Sequence, residues 1–268
     1  MSDLFWVLYR IVFGALFGLL IGSFLNVCIY RLPRHETIVR GHSYCPNCLH
    51  KLAGADLVPI FSYLFLRGRC RYCAQPISPR YARIESATGF IFALTAGFWG
   101  SGPFAPASDK PDYLAAIPDA PYNMAVVCCV LAAFCALLVW SMILFDEQLP
   151  PRALYGFILI PALLRLSLQP GRILLHLAGA AFAIAVWWLL ETLRLLPEGD
   201  RTRRNHVFSG LALLGLTGGL IALQPIMAAI LVASVLALLA KKPERARRLV
   251  RMVLPAAVLA SAVIWLFL

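Results

Sequence analysis

Residues 11–30 read IVFGALFGLLIGSFLNVCIY, twenty consecutive positions without Asp, Glu, Lys or Arg. A bilayer's hydrocarbon core is crossed by about 20 apolar residues in a helix, so this stretch has the length and composition of a transmembrane span. Working outward, similar runs cover residues 86–104, 122–145, 153–169, 173–193, 207–223, 226–240 and 252–268, which makes eight spans. Arg165 interrupts the fourth and Lys241-Lys242 closes the seventh, so a count of six or seven also fits. Of the 268 residues 61% are hydrophobic and 14% charged, whereas a soluble domain holds about 45–50% apolar and about 25% charged residues. A disordered chain, a collagen and a small secreted disulfide scaffold are excluded. The fold class expected is an all-α polytopic membrane protein.

The formal charge of +11 is distributed as topology. Nine Lys and Arg lie between Arg31 and Arg83, three at Arg201, Arg203 and Arg204, and six from Lys241 to Arg251. The alternate connections, near 105–121 and 168–172, hold only Lys110 and Arg172, and the first adds Asp109, Asp112 and Asp119. The positive-inside rule therefore places the basic loops in the cytoplasm and both termini outside. The basic tract at 241–248, flanked by apolar spans, reads as an orientation and anionic-lipid signal in preference to a nucleic-acid site. The first apolar stretch has no basic n-region and is read as a retained span in the lipid bilayer.

Between the first two spans stand Cys45-Pro46-Asn47-Cys48 and Cys70-Arg71-Tyr72-Cys73, two C-x-x-C pairs with 21 residues between them. Each pair offers two thiolates from one tight turn, and two pairs supply the tetrahedral sulfur set that Zn2+ prefers. On the reducing cytoplasmic side disulfides are disfavoured. Four cysteines close the coordination shell, which makes the expected zinc structural. His42 and His50 flank the first pair as possible substitute ligands, or as solvated loop histidines. Cys28, Cys128, Cys129 and Cys135 sit in apolar spans and are expected to be buried small hydrophobes.

Taken with these pairs, the segments Gly22-Ser23-Phe24-Leu25-Asn26-Val27-Cys28-Ile29-Tyr30-Arg31-Leu32-Pro33-Arg34 and Pro76-Ile77-Ser78-Pro79-Arg80-Tyr81 closely resemble the type IV prepilin peptidase family. Its members are bifunctional inner-membrane enzymes that also serve type II secretion. The match is most specific over residues 22–88; the remainder agrees in hydropathy and helix number, with one further motif at Asp146. The resemblance implies an aspartyl protease that removes a short basic leader after a glycine from prepilin or pseudopilin precursors. It also implies methylation of the new N-terminus with S-adenosylmethionine. The division it suggests is 1–84, the first span with the zinc ribbon, and 85–268, a peptidase-like helical domain. Family precedent gives the first of these the methyl-transfer role, yet the sequence carries no glycine fingerprint of a soluble methyltransferase.

Cleavage by two aspartates needs one ionised carboxylate to activate water and one protonated partner, held where their pKa values split. Asp146 closes the third span in Ile143-Leu144-Phe145-Asp146-Glu147-Gln148-Leu149-Pro150, which matches the family's first aspartate motif, with Pro151 where an aspartate often follows. An acid at an apolar helix end is a functional candidate by default. The family's second aspartate lies in a Gly-x-Gly-Asp motif, of which only Gly199-Asp200 stands here. Aligned without a gap on the following helix, the expected aspartate falls near Val207, seven residues beyond Asp200. That is about 10 Å if helical. Asp200 is the candidate partner, while Glu198 and Asp200 equally read as solvated loop acids among Arg201, Arg203 and Arg204.

Blander roles suit other polar residues. Asn26, with Ser23, suits helix-end packing or substrate contact; Glu85 suits an ion pair with Arg80 or Arg83, or a link to the ribbon. His176 reads as a packed histidine, and Gly215, Gly218 and Gly219 as close helix packing. Two rival functions stand beside peptidase and methyltransferase. One is a protease-deficient family member acting as methyltransferase or assembly partner, favoured by the broken motif. The other is a non-enzymatic membrane zinc-ribbon binding module.

Overall fold

The computed structural model describes residues 3–98, 124–168, 170–192, 202, 204–217, 255–256 and 258–263. The long helices are α1 (Asp3–Arg31), α3 (Arg80–Phe98), α4 (Met124–Phe145), α5 (Arg152–Leu168) and α6 (Ile173–Thr192), with a short α2 (Phe61–Phe65) in the loop after α1. Residues 204–217 form a further helix, α7. Among the described residues there is no strand, only isolated bridges from Tyr44 to Lys51 and from Arg69 to Pro76. Two helical stretches, Leu4–Arg34 and Ala125–Phe145, are long and apolar enough to cross a membrane. The expected span at 226–240 and the basic tract at 241–248 lie outside the described residues, and 252–268 is described only in part. The chain divides into two compact units, Met1–Trp99 and Gly100–Leu268.

In the first unit α1 and α3 form an antiparallel hairpin along a seam of glycines. Gly14, Gly18 and Gly22 recur every four residues and so share one face of α1. Each leaves room for α3: a Cβ on Gly14 would meet Ala96 and Phe92, on Gly18 Phe92 and Thr88, and on Gly22 Glu85. At Gly18 it would stand 2.6 Å from the Phe92 Cβ and 2.8 Å from the Thr88 carbonyl oxygen, so neither helix could keep its place. Small residues at this spacing are how helices approach closely in lipid, where apolar burial gives no advantage over lipid contact. The two threonines of the seam are satisfied within their own helix, Thr88 and Thr95 donating to the carbonyls of Ile84 and Ile91 at 2.8 Å. The other face of α1 exposes Leu4, Phe5, Leu8, Val12, Leu16 and Leu20. Such a face is costly in water and suits hydrocarbon. Gly18→Leu is expected to spread the hairpin and destabilise it by about 1–3 kcal/mol, read as a lower melting temperature in detergent beside an exposed control such as Leu16→Ala.

In the second unit α4 is the central helix, with Phe134, Leu137, Trp140 and Ile143 fully buried. It ends in a Schellman closure: Gln148 N–H donates to the Ile143 carbonyl and Glu147 N–H to that of Leu144, both at 3.1 Å, with Glu147 at φ 63°. α5 packs back on α4. Arg165 is buried, and donates to the Thr217 carbonyl at 2.7 Å, while His176 Nδ1–H donates to that of Leu216 at 2.9 Å. The charge that breaks the apolar run of α5 thus faces protein, on a backbone carbonyl of α7. His176 is the packed, hydrogen-bonded histidine expected of it. Gly215 lies against the Gly179 backbone, where a Cβ would meet the carbonyl oxygen at 2.5 Å. Close packing is its role; Gly218 and Gly219 lie outside the described residues.

Candidate functional site

The loop between α1 and α3 is built from two copies of one small turn. In each, the first cysteine's N–H donates to a carbonyl five residues on, Cys45 to His50 at 3.0 Å and Cys70 to Gln75 at 2.9 Å. A return bond runs from Leu49 N–H to Cys45 at 2.8 Å and from Ala74 N–H to Cys70 at 2.9 Å. Leu49 and Ala74, each following the second cysteine, take φ of 58° and 56°. These matching turns aim all four sulfurs inward: the Sγ atoms of Cys45, Cys48, Cys70 and Cys73 lie within 4.8 Å of one another, and Cys45 and Cys73 are 3.9 Å apart. A tetrahedral ion with metal–sulfur bonds of about 2.3 Å sets its sulfurs about 3.8 Å apart, so the four cysteines can hold a metal ion. Burial raises the Cys45 thiol, but the N–H groups of Cys48 and Asn47 and the thiols of Cys70 and Cys48 outweigh it and bring it down to about 7. The Gln75 N–H pulls Cys73 down; burial and the three neighbouring thiols override it and push it up to about 12. Crowded thiols that split in this way are what a dication at their centre would relieve.

His50 does not join the cluster; its ring stacks on Tyr72, 3.6 Å between centroids. His42 is likewise outside it, and its carbonyl accepts from Arg31 at 3.1 Å. Of the remaining cysteines Cys28 and Cys129 are buried as expected, whereas, against that expectation, Cys135 is half-buried and Cys128 is exposed on α4.

Two supports of the turns went unread in the sequence. Asp56, its side chain only 3% exposed, accepts from Arg71 Nε at 2.6 Å and from the Tyr72 hydroxyl at 3.1 Å. It also accepts from Ala53 N–H at 3.1 Å. Burial acts to raise its carboxyl, but Arg71 and the other donors outweigh it and hold it below the usual carboxylate range. Arg71 and Tyr72 are the two middle residues of the second pair, so Asp56 fixes that turn from outside. Arg31, at the end of α1, gathers the carbonyls of Thr37, Arg40 and His42 at 2.8–3.1 Å and anchors the first part of the loop. Partners of ligand-bearing turns affect metal affinity by about 10–100-fold. Asp56→Ala is expected to weaken metal retention by that order in competition with a chelator, and Arg71→Ala by less, because the Arg71 side chain is 50% exposed.

Beside the four-cysteine turns a cavity of about 440 Å³ is walled by the end of α1, the loop and the start of α3. Glu85 and Asn26 line it, 8% and 7% exposed. Of the two roles open for Glu85, the structure gives the link to the loop: its Oε2 accepts the Ile60 N–H at 2.8 Å. Ile60 stands at φ 59° and ψ −49°, and Phe61 N–H closes on the Pro59 carbonyl at 2.6 Å. This is a γ-turn of the rare, strained hand. Asn26 Nδ2 donates to the Tyr81 carbonyl at 3.2 Å, joining α1 to α3, while its Oδ1 has no partner.

Asp146 follows the last residue of α4, half-buried, with its N–H on the Met142 carbonyl at 3.1 Å. Asp200 and Glu198 lie outside the described residues, so the Asp146–Asp200 pairing is not described. Near Val207, where the family's second aspartate is expected, α7 carries His206, its Nδ1 paired with the Tyr155 hydroxyl of α5.

The described architecture is that of a helical protein with membrane-length helices and, between its first long helices, a four-cysteine loop able to hold a metal, which fits a membrane location. Residues 16–99 match the family described as the bacterial peptidase A24 N-terminal domain. The prepilin leader peptidase/N-methyltransferase of Pseudomonas putida is 30% identical over 238 residues, covering 79% of this chain and 74% of that protein. The chain belongs to the prepilin leader peptidase/N-methyltransferase family. The proteins of that name from Myxococcus xanthus and Klebsiella pneumoniae are 51% identical over 81 residues and 47% over 87, each covering 30% of this chain. Those matches span 24% and 38% of the two relatives' own lengths. No solved structure gives a significant match.

Proposed function

We propose that this protein removes the leader from prepilin-like or pseudopilin precursors after a glycine and methylates the N-terminus so exposed. The observation that carries this reading is the similarity to the Pseudomonas putida protein, which runs through 79% of the chain and thus beyond the cysteine loop. In this reading Asp146 is one carboxylate of the peptidase and Asp200 its partner. The ionised member takes a proton from water, the water oxygen attacks the glycine carbonyl carbon, and the protonated member stabilises the carbonyl oxygen and then protonates the departing amine. S-adenosylmethionine supplies the methyl group when bound.

The four cysteines hold Zn2+, supported by their number, their spacing near that of a tetrahedral sulfur shell, and a reducing cytoplasmic location. The zinc is structural, because four thiolates leave no position for water. The remaining apolar runs complete eight spans in the bacterial inner membrane, with the ribbon and active site facing the cytoplasm and both termini in the periplasm. A single N-terminal apolar helix of the substrate docks between spans, its basic leader left in the cytoplasm. Residues 1–84 form the ribbon-bearing region and 85–268 the peptidase-like domain. Nucleic acid is not a partner in this reading.

One observation favours a second reading: Gly-x-Gly-Asp is reduced to Gly199-Asp200. A chain without proteolysis would act as methyltransferase or assembly partner. The deciding experiment incubates the purified protein in detergent with a full-length prepilin, with and without S-adenosylmethionine, and reads product mass. Leader loss followed by a gain of one methyl supports the first reading. A methyl gain confined to pre-cleaved pilin supports the second, and neither change beside an active control peptidase overturns both.

A further inference from the structure

The 440 Å³ cavity beside the ribbon has the size of a small-molecule site and an electrostatic imbalance at its floor. Glu85 is surrounded by neutral donors, namely the Ile60 N–H and the side chains of Ser23 and Asn26. Among the described residues it has no cationic partner. The two guanidinium groups lining the same cavity are engaged elsewhere, Arg31 on the carbonyls of Thr37, Arg40 and His42, and Arg71 on Asp56. Next to Glu85, Asn26 Oδ1 is buried without a donor, and its orientation is fixed because Nδ2 is held by the Tyr81 carbonyl. A buried carboxylate is costly unless a cation meets it, and a buried orphan acceptor is costly unless an N–H reaches it. One ligand answers both needs, an organic cation carrying N–H donors or lying beside one. The strained Ile60 turn points the same way, since backbone strain is kept where its surroundings over-determine it, and such places cluster at binding sites.

We infer that this cavity binds an organic cation, with Glu85 as its counter-ion and Asn26 Oδ1 as a hydrogen-bond acceptor. Which cation depends on the function proposed above. On that reading two are available, the methyl donor, with its sulfonium and α-ammonium, and the free N-terminal ammonium of a cleaved substrate. Both share the chemistry the site selects.

The test is calorimetric titration of the full-length, metal-loaded protein in detergent with two probes, S-adenosylmethionine and a short apolar peptide with a free amino terminus. S-adenosylhomocysteine, which lacks the sulfonium charge, and the N-acetylated peptide are the paired controls. One probe is expected to bind, its control more weakly, and Glu85→Gln is expected to lower its affinity on the order of tenfold or more. Ala82→Phe, which fills the cavity wall without touching the charge, is expected to weaken the same probe and carries the test if Glu85→Gln does not fold. Metal content and melting temperature report folding in both variants. Equal affinity in wild type and both folded variants overturns the inference. So does binding of neither probe by a protein that still cleaves prepilin, in which case the proposed function stands; loss of binding, cleavage and methylation together removes both.

Discussion

Cys70→Ser is expected to release the metal and unfold the loop between α1 and α3. Cys70, like Cys45, is firmly fixed: it is buried, its N–H donates to the Gln75 carbonyl, and its own carbonyl accepts from Ala74 N–H. The loop has little else to hold it. It contains only short helical turns, Val39, Leu49 and Phe65 are exposed, and its links include the two cysteine turns, the Asp56 clamp, the Arg31 anchor and the Glu85–Ile60 bond. A closed four-sulfur zinc site is worth about 10–16 kcal/mol of apparent binding free energy, which in a small domain is folding free energy. Losing one thiolate of four is therefore expected to lower zinc affinity at least on the order of a hundredfold. Elemental analysis should give about one zinc per chain in wild type and much less in the variant. Limited proteolysis should cut the variant between residues 35 and 78 while leaving α1 and α3 paired through their glycine seam. Undiminished zinc and unchanged protease resistance in Cys70→Ser would show that these thiols are not ligands.

The four-cysteine cluster was legible because C-x-x-C is a local pattern: each pair forms a turn of fixed form that presents two sulfurs on one side. What stabilises the turns was not. Asp56 reaches Arg71 and Tyr72 across 15 and 16 residues, and no spacing rule connects a lone loop aspartate with the middle of a distant cysteine pair. The hairpin seam is a different case. Gly14, Gly18 and Gly22 carry a readable small-residue period, but the partner face on α3 follows only from three-dimensional packing. Arg165 lowered the case for a fourth span because a charge in an apolar run is expensive; in the fold it is buried against the Thr217 carbonyl of α7. A hydropathy sum cannot see which way a side chain points. Asp146 is a candidate through its motif, and the structure places it just after α4; for the second carboxylate only Gly199-Asp200 remains of the Gly-x-Gly-Asp that would mark it.

Asp146→Asn is expected to abolish leader cleavage. The substitution keeps size and hydrogen-bonding capacity, so the closure of α4 through Gln148 and Glu147, made by backbone groups, should survive. It removes the one property the proposed chemistry needs from this residue, a carboxyl that can give up and take a proton. General acid–base groups contribute about 10²–10⁴-fold, and losing one member of a dyad that works as a unit costs at least that. Product mass should therefore show leader loss reduced on the order of a thousandfold or more, with zinc content and melting temperature unchanged. Asp200→Asn separates the remaining possibilities. Equal loss in both variants supports the Asp146–Asp200 pair and requires the Gly199-Asp200 stretch to reach the end of α4. Loss in Asp146→Asn alone assigns the partner role to another group, and the nearest candidate on α7 is His206, paired with Tyr155 next to Val207, where the family's aspartate is expected. Full cleavage by Asp146→Asn would remove the aspartyl mechanism from this chain, because among the described residues Asp146 is the carboxylate that stands in the family's motif.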